Sequence, residues 1–265
     1  MCRWLAYRGR TIPLESYVTL PHHSLVQQSI AAKEGIVSTN GDGFGLGWYG
    51  AQAEPGLYRE VRPAWSDENL RHLCRHITAH LFFAHVRAST GTPTTRPNCH
   101  PFAHGRFMFM HNGQIGDWGL IRRDVEALIP NNYYRSRIGT TDSEAAFLAI
   151  MGAGAEEDTV GALTRTVATL TDIVRASPSD EPFRFTIALA DGETLYALRY
   201  AFPREKAHTL YYQDDGKNAV IASEPLDADR NVWKPAPVNA LLIARKDAPI
   251  ETHPFLEEQS AIAAE

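Results

Sequence analysis

Aromatic and apolar residues are concentrated in several short stretches of the chain that polar residues separate, and short apolar runs of this kind predict buried β-strands. The stretches with apolar residues at strand density are 81–89 (LFFAHVRAS), 106–113 (RFMFMHNG), 219–226 (AVIASEPL) and 239–245 (NALLIAR). In segment 183–200 the dipeptide Asp191-Gly192 separates two further apolar runs, which predicts a β-hairpin. The chain is therefore expected to be rich in sheet.

Other segments place apolar residues three and four positions apart, as an amphipathic helix does. Segment 66–77 (SDENLRHLCRHI) has this spacing, and Ser66 is the candidate N-cap that precedes it. The same spacing recurs through 160–174 (VGALTRTVATLTDIV). Thr141 and Glu144 lie three positions apart ahead of an apolar run, which predicts a helix that begins with a capping box.

The order of these elements bears on the fold class. Strands that pair as hairpins, together with a few long helices, favour an α+β layered sandwich over a sheet wound through βαβ units. No internal repeat, low-complexity segment or linker divides the 265 residues. We therefore expect a single domain over 2–265, with its motifs in 2–150 and a peripheral tail after about residue 249.

Composition and charge narrow the classes of function. The chain has 44% hydrophobic and 22% charged residues, as globular proteins do, and its net charge of -5 without a basic block disfavours nucleic acid and anionic membranes as partners. Arginines interrupt the first apolar stretch before it is long enough for a signal peptide, and no later stretch reaches the roughly 18 apolar residues of a membrane span. Three cysteines without a CxxC pair suit a reducing compartment. We expect a soluble, cytoplasmic protein.

The chain begins MCRWLAYRG, with a cysteine directly after the initiator methionine. If an aminopeptidase removes Met1, Cys2 carries both a thiol and a free α-amine, whose pKa values are normally about 8.5 and about 7.7–8.0. The amine can then accept the proton of the thiol in the same residue, so this nucleophile needs no separate histidine. The alternative is that Cys2 packs as an ordinary small apolar residue.

Three other features offer chemistry that complements such a nucleophile. Asn112 and Gly113 follow an apolar run and either form a hairpin turn or present an amide and a backbone N–H to an oxyanion. Arg87 ends an apolar strand and either reaches the surface or binds a carboxylate. Asp142 is either an ordinary acid of a first helical turn or the partner of an ammonium group. Together they suit a γ-glutamyl amide, which carries an α-carboxylate and an α-ammonium.

Six motifs occur in order between about residues 2 and 150: MCRWLAYRG, NGDGFGLGWY, FFAHVRAST, NCHPF, FMHNGQIGDW and GTTDSEAAF. They resemble the motifs of the class II glutamine amidotransferases, a family of N-terminal nucleophile hydrolases, and ASEPLD (222–227) adds weaker support. The chain is most similar to short, stand-alone members, which include γ-glutamyl hydrolases and an amidotransferase-like subunit of glutathione degradation. The resemblance implies a four-layer αββα sandwich, with two sheets between helical layers.

The resemblance also implies a role for each matching residue. It implies catalytic roles for Cys2, Asn112 and Gly113, and substrate-binding roles for Arg87, Thr90 and Asp142. Segment 87–91 reads Arg-Ala-Ser-Thr-Gly where synthase-linked members have Arg-Trp-Ala-Thr-His, so the loop that closes over glutamine is expected to differ. His100 and His111 are expected to hold loops by hydrogen bonds.

The activity expected from the resemblance is hydrolysis of the γ-amide of glutamine or of a γ-glutamyl compound through a Cys2 thioester, which releases glutamate and ammonia or an amine. The alternative is a non-catalytic or regulatory subunit of a larger complex that processes γ-glutamyl compounds or glutathione. The synthase-linked enzymes add an acceptor domain for ammonia, for which 265 residues leave no room. Ammonia is therefore expected to be lost or to pass to a partner, either an ammonia-accepting protein or a peptidase.

No cofactor or metal is expected. Segment 41–47 (GDGFGLG) lacks the Gly-Lys-Ser/Thr of a P-loop, and it predicts a tight turn and a strand near the active site. Cys74, His76 and His80 resemble metal ligands, but helical positions two apart point to different faces. A structural role is expected for these three residues.

Overall fold

The computed structural model describes residues 2–35, 37–89, 91–227, 229 and 232–256. Its strands, numbered along the chain, form two antiparallel sheets. The seven-stranded sheet has the spatial order β11 (Lys234–Pro235), β9 (Tyr211–Asp214), β10 (Ala219–Ala222), β1 (Arg3–Pro13), β4 (Thr78–Val86), β2 (Phe44–Trp48) and β3 (Gly56–Glu60). The six-stranded sheet has the order β13 (Glu251–Pro254), β12 (Ala240–Ala244), β8 (Leu195–Phe202), β7 (Phe183–Ala190), β6 (Phe107–Gln114) and β5 (Phe102–His104).

The strands predicted from the short apolar stretches are all present, with ends that differ by a few residues. The hairpin predicted around Asp191-Gly192 is confirmed, since β7 and β8 pair antiparallel on either side of it. Segment 41–47 forms a turn that leads into β2, as its glycines indicated. The predictions were good here because each strand buries at least one whole face.

In the central strands, successive side chains pack alternately into two different hydrophobic cores, one between the sheets and one beneath the helices. On β1, Trp4 and Ala6 pack between the sheets, whereas Leu5 and Tyr7 pack against the outer helices. On β6 the two methionines lie between the sheets, and the two phenylalanines lie beneath the helices on the other side. Because this period of two continues to the strand ends, it also decides which way the polar residues at those ends point.

Helices cover the outer face of each sheet. Against the seven-stranded sheet pack α1 (Glu15–Val18), α2 (Leu25–Ile30) and α3 (Glu68–His76). Against the six-stranded sheet pack α4 (Trp118–Glu126), α5 (Asn131–Tyr134), α6 (Asp142–Gly152) and α7 (Thr159–Ala176). Short 3-10 turns lie at Ala64–Ser66, Arg96–Asn98 and Arg204–Lys206. The α+β class and the four-layer αββα sandwich are thus confirmed.

The start of α3 differs from the prediction by one residue. Asp67, not Ser66, is the N-cap, because its Oδ1 accepts the backbone N–H of Leu70 at 3.0 Å. The Ser66 hydroxyl instead donates to the carbonyl of Pro63 at 2.9 Å, within the preceding 3-10 turn. Ser66 and Asp67 are both favourable N-cap residues, and the hydrogen bond of Ser66 within the preceding turn leaves Asp67 to cap the helix.

Only half of the predicted capping box forms at α6. The Thr141 hydroxyl accepts the backbone N–H of Glu144 at 3.1 Å, as predicted. The Glu144 carboxylate does not return to the N-cap but accepts the backbone N–H groups of Ile138 at 3.0 Å and Gly139 at 2.7 Å. It therefore fixes the loop that leads into α6, and with it the position of Asp142.

The last described strand, β13, is an edge strand that pairs with β12. Among the described residues, no helix combines the length and the apolar character needed to cross a membrane.

Candidate active site

Cys2 lies immediately before β1, at the open end of the space between the sheets. Its thiol is 3.6 Å from the carbonyl oxygen of Ala88 and lines a cavity of about 840 Å³. Burial raises the pKa of the Cys2 thiol, and the Ala88 contact and the charges of Arg87 and Arg3 only partly oppose this shift. A thiol in this setting needs a nearby base to become a nucleophile.

Asn112 and Gly113 lie within β6 rather than in a turn, so the hairpin-turn interpretation is wrong. They pair with Thr186 and Phe185 of β7. Asn112 is fully buried, and neither its amide nitrogen nor its amide oxygen has a hydrogen-bond partner among the described residues. A side-chain amide that is buried without a partner beside a cavity is available to a ligand.

Gly113 is required by a close approach of two backbones. A Cβ at this position would lie 1.9 Å from the carbonyl oxygen of Arg184, and its φ of 156° is one that L-residues rarely adopt. A larger residue would push β6 away from β7 at the cavity wall.

Arg87 follows β4 and is buried in the loop that borders the cavity. Its Nη2 donates to the hydroxyl of Ser89 at 3.0 Å and to the hydroxyl of Thr92 at 2.7 Å. Asp42, in the turn before β2, accepts the backbone N–H of Ser89 at 2.7 Å. Three side chains that sequence reasoning did not single out, those of Asp42, Ser89 and Thr92, therefore fix the direction of Arg87.

Asp142 is held at the start of α6 with its carboxylate at the cavity. Its Oδ2 accepts the backbone N–H of Ile115 at 2.9 Å, and its Oδ1 accepts that of Ser143 at 2.8 Å. The bond from Ile115 ties the helix start to the residue that follows β6, two residues beyond Gly113, and the bond from Ser143 is local to the helix start. The acid is thereby oriented relative to the candidate oxyanion donors.

His111 supports the Asp142 region from the helical side of β6. Its Nε2 donates to the carbonyl of Arg184 at 3.0 Å, so in the neutral ring Nδ1 accepts from the Ser143 hydroxyl at 2.8 Å. Burial lowers the pKa of His111, and the charge of Asp142 opposes this shift. The predicted loop-holding role of His111 therefore agrees with these contacts.

His100 does not act as predicted. Its ring is buried and stacks on that of His85 with centroids 4.3 Å apart, but neither ring nitrogen has a hydrogen-bond partner in the described part of the chain. Burial lowers the pKa of His85 to about 3 and that of His100 well below its usual value, so both rings are neutral near pH 7. His100 is held by stacking, and its ring lines the cavity.

A buried ionic cluster behind Cys2 was not predicted. Arg3 and Glu224 are both fully buried, with Arg3 Nε 3.3 Å from Glu224 Oε2. Glu224 also contacts His23 and accepts the backbone N–H groups of Lys33 at 3.0 Å and Glu34 at 3.1 Å. The cluster reaches the active site because Arg3 Nη1 donates to the carbonyl oxygen of Cys2 at 3.2 Å.

Five of the six site residues named from the sequence line the same cavity: Cys2, Arg87, Asn112, Gly113 and Asp142. The sixth, Thr90, lies outside the described residues. Within the described residues, no group of three or more His, Cys, Asp or Glu side chains is arranged to hold a metal ion. The site thus offers a thiol, hydrogen-bond donors, one buried cation and one oriented acid.

Comparison with known proteins identifies the family. The family model of the class II glutamine amidotransferases matches residues 18–210. The chain belongs to this family. Among curated relatives, the probable glutamine amidotransferase DUG3 of Saccharomyces cerevisiae is 30% identical over 97% of this chain and 85% of its own length. The gamma-glutamyl-hercynylcysteine sulfoxide hydrolase of Mycolicibacterium smegmatis is 28% identical over 96% of this chain and 100% of its own length.

Two solved structures are similar to this one over 96% of the chain. A glutamine aminotransferase class-II domain protein from Silicibacter pomeroyi superposes with a TM-score of 0.74 at 34% identity, over 96% of this chain and 99% of that one. The glutamine phosphoribosylpyrophosphate amidotransferase of Bacillus subtilis matches with a TM-score of 0.66 at 13% identity, over 96% of this chain and 49% of that enzyme, and shows the fold alone. The family is enzymatic, and the relatives support an amidohydrolase activity in general.

Proposed function

We propose that the protein hydrolyses the γ-amide bond of glutamine or of a γ-glutamyl compound, with Cys2 as nucleophile. The observation that carries this proposal is that Cys2, the unpartnered Asn112 amide, Arg87 and Asp142 line one cavity. A nucleophile, an oxyanion donor and a pair of opposite charges for an α-amino acid head are the groups that the reaction requires. The family assignment supports the same reaction class.

The reaction begins when the Cys2 sulfur bonds to the γ-carbonyl carbon and the carbonyl oxygen becomes an oxyanion. The Asn112 amide and the backbone N–H of Gly113 donate hydrogen bonds to that oxygen. The C–N bond then breaks, and the leaving amine departs with the proton taken from the thiol. Water attacks the resulting thioester, which releases glutamate and restores the thiol.

The proton in these steps needs a base. The raised pKa of the Cys2 thiol means that few thiolates exist at neutral pH, and the buried His85 and His100 are weak bases. The α-amine of Cys2 has the right basicity, with a normal pKa of about 7.7–8.0, once Met1 has been removed. We assign the amine to both proton transfers.

The leaving group and its fate remain part of the proposal. One relative is named for a glutamine amidotransferase and another for a γ-glutamyl hydrolase, so both ammonia and larger amines are candidates. Released ammonia would pass to an accepting partner or be lost, and a peptidase is the corresponding partner for a released peptide. All three cysteines fall within the described residues and are free, which agrees with a cytoplasmic location.

The decisive experiment replaces the thiol. Cys2→Ala should abolish the release of glutamate from a panel of γ-glutamyl compounds and leave the fold intact, because the other cavity residues only bind. Cys74→Ala is the matched control, since it removes a buried thiol of the outer core that does not line the cavity. Hydrolysis that survives in Cys2→Ala would refute the mechanism.

The state of the N-terminus provides a second arm of the same test. Protein that is verified by mass spectrometry to begin at Cys2 should be active, and an uncleaved N-terminal fusion should be inactive although its thiol is intact. If protein that begins at Cys2 hydrolyses no member of the panel, the alternative of a non-catalytic subunit is favoured.

A further inference from the structure

The cavity is larger than the glutamyl half of a substrate requires. Glutamine has ten non-hydrogen atoms, and at about 30 Å³ each, the volume of a liquid water, it would fill at most about 300 Å³. The cavity has about 840 Å³. Beyond the Cys2 end its wall continues over Trp118 and Leu120 of α4 and Arg184 of β7. This leaves room for a substantial leaving group.

Arg184 occupies a defined position relative to the oxyanion donors. It pairs with Gln114, two residues beyond Asn112 on β6, which is about 7 Å farther along the strand. The alternation on β7 places Phe183 and Phe185 under the helices, so Arg184 has the opposite orientation, toward the other sheet, as Asn112 does. A group attached to the γ-carbonyl can therefore extend from Asn112 toward Arg184.

The guanidinium of Arg184 is oriented and available. Its Nε donates to the carbonyl oxygen of Lys206 at 3.0 Å. Within the described residues, no Asp or Glu forms an ion pair with Arg184. The two acids that line the same wall have other roles: Glu181 accepts the backbone N–H of Asp117 at 3.0 Å, and Asp117 accepts the Ser177 hydroxyl.

A second cation in the cavity is suited to a second anion on the substrate. Arg87 is buried in its loop beside Cys2, where it suits the α-carboxylate of the glutamyl half. Arg184 lies on the other sheet and is partly exposed. The planar fork of a guanidinium fits a carboxylate better than it fits a neutral group.

We propose that Arg184 binds a carboxylate on the leaving amine, so that the preferred substrates are γ-glutamyl amino acids or peptides rather than glutamine. This inference rests on the proposed γ-glutamyl hydrolysis and names its substrate class. Arg184 is a specificity residue: it contacts the leaving group and takes no part in breaking the bond.

The test compares two substrates that differ only in one charge. γ-Glutamylglycine carries a carboxylate on its leaving amine, and γ-glutamylglycinamide carries a neutral amide in its place. The kcat/KM for glutamate release should be at least about tenfold higher for the acid, as expected for one charge-assisted hydrogen-bonded pair at a partly exposed site. In Arg184→Gln this ratio should fall about tenfold, whatever loss the two substrates share.

Arg204→Gln is the matched control, because Arg204 also donates to a backbone carbonyl but does not line the cavity, and it should keep the wild-type ratio. If Arg184→Gln does not fold, the inference is tested by the wild-type ratio of kcat/KM for acid and amide and by the same ratio in Arg184→Lys. The lysine variant should keep part of the preference for the acid. A wild-type ratio near one, or an equal loss for acid and amide in Arg184→Gln, would overturn the inference. Failure to hydrolyse glutamine and both conjugates would instead overturn the proposed function.

Discussion

Replacing Glu224 by Gln tests whether the buried cluster behind Cys2 contributes to stability. The substitution removes the negative charge that faces Arg3 at 3.3 Å while it keeps the shape of the side chain. Removing one partner of a buried ion pair costs about 3–5 kcal/mol, because the other charge is left uncompensated. The glutamine oxygen can still accept the N–H groups of Lys33 and Glu34, so we expect the lower limit, about 3 kcal/mol.

The loss is large compared with the total stability of about 5–15 kcal/mol that is typical of folded domains. At about 2–4 °C per kcal/mol for a chain of this size, it corresponds to a fall of about 6–12 °C in Tm. Urea unfolding monitored by tryptophan fluorescence should show a lower midpoint with an unchanged slope. Glu251→Gln is the control, since Glu251 pairs with Arg245 on the exposed edge strand and its loss should leave the midpoint unchanged.

The same variant makes a prediction about pH. Burial raises the pKa of the Glu224 carboxyl, but the hydrogen bonds from His23, Lys33 and Glu34 and the charge of Arg3 outweigh it, so the net pKa is lowered. A carboxyl whose folded pKa is lowered contributes stability above its unfolded value of about 4.3 and loses it as the pH falls through the folded value. The difference in the free energy of unfolding between wild type and Glu224→Gln should therefore have its full value at pH 7 and become smaller below about pH 4.

A double variant separates the ion pair from simple packing. If Arg3→Met is combined with Glu224→Gln, the two losses should sum to more than the loss of the double variant, because the second change removes the charge that the first left unpaired. Additive losses, or a midpoint in Glu224→Gln equal to that of Glu251→Gln, would refute the role given to the pair.

Two further predictions concern the cavity. Asn112→Ala should lower kcat by roughly 100- to 1000-fold and change KM much less, because the amide stabilises charge that develops in the transition state. Steady-state kinetics measures both constants. An unchanged kcat would show that Asn112 has only a structural role in β6. Arg87→Ala or Asp142→Asn should lower kcat/KM by about 10- to 100-fold with every leaving group, because each substitution removes a charge-assisted hydrogen bond to the glutamyl half of the substrate. If the wild-type enzyme hydrolyses an N-acylated γ-glutamyl substrate as fast as the free one, the role given to Asp142 is wrong.

Much of the fold follows from local patterns. Short apolar runs located the strands of segments 81–89, 106–113, 219–226 and 239–245, and the dipeptide Asp191-Gly192 located the hairpin between β7 and β8. No strand was predicted for β1, whose apolar run 4–7 divides between the two cores only in the structure. Local rules failed at the start of α3, where two adjacent residues could each act as the N-cap. Asp67 caps the helix, and the Ser66 hydroxyl bonds within the preceding 3-10 turn.

The dipeptide Asn112-Gly113 shows a second kind of limit. Its composition favours a hairpin turn, but the ladder between β6 and β7 keeps both residues in the strand. Pairing with a strand more than 70 residues away outweighed the local preference, as the hydrogen bond from His111 to Arg184 illustrates. The family resemblance implied an oxyanion-binding role for this dipeptide, and both residues line the cavity in the structure.

The contacts that were not predicted join segments distant in sequence. Arg3 and Glu224 come from β1 and from the segment after β10, and no periodicity connects them. Arg184 was not singled out from the sequence, and only the register with Gln114 places it beside the cavity. The residues around a reactive group can be named from motifs, but their supporting partners require the sheet register.

The register also explains why the reactive groups remain open to a ligand. Within the described residues, several buried polar side-chain atoms without a partner lie at the Cys2 end of the space between the sheets: those of His85, His100, Asn112 and Thr186. A buried polar group left without a partner costs about 1–3 kcal/mol of stability. Apolar side chains in this region would avoid that cost, and farther along the same strands Phe83 and Met110 fill the space between the sheets. An oxygen that acquires negative charge beside Asn112 recovers more of this cost than a neutral carbonyl does, because hydrogen bonds to charged acceptors are stronger. In the proposed hydrolysis, the arrangement would therefore favour the tetrahedral intermediate over the bound substrate, and the stability given up in the resting protein would lower the barrier to amide cleavage.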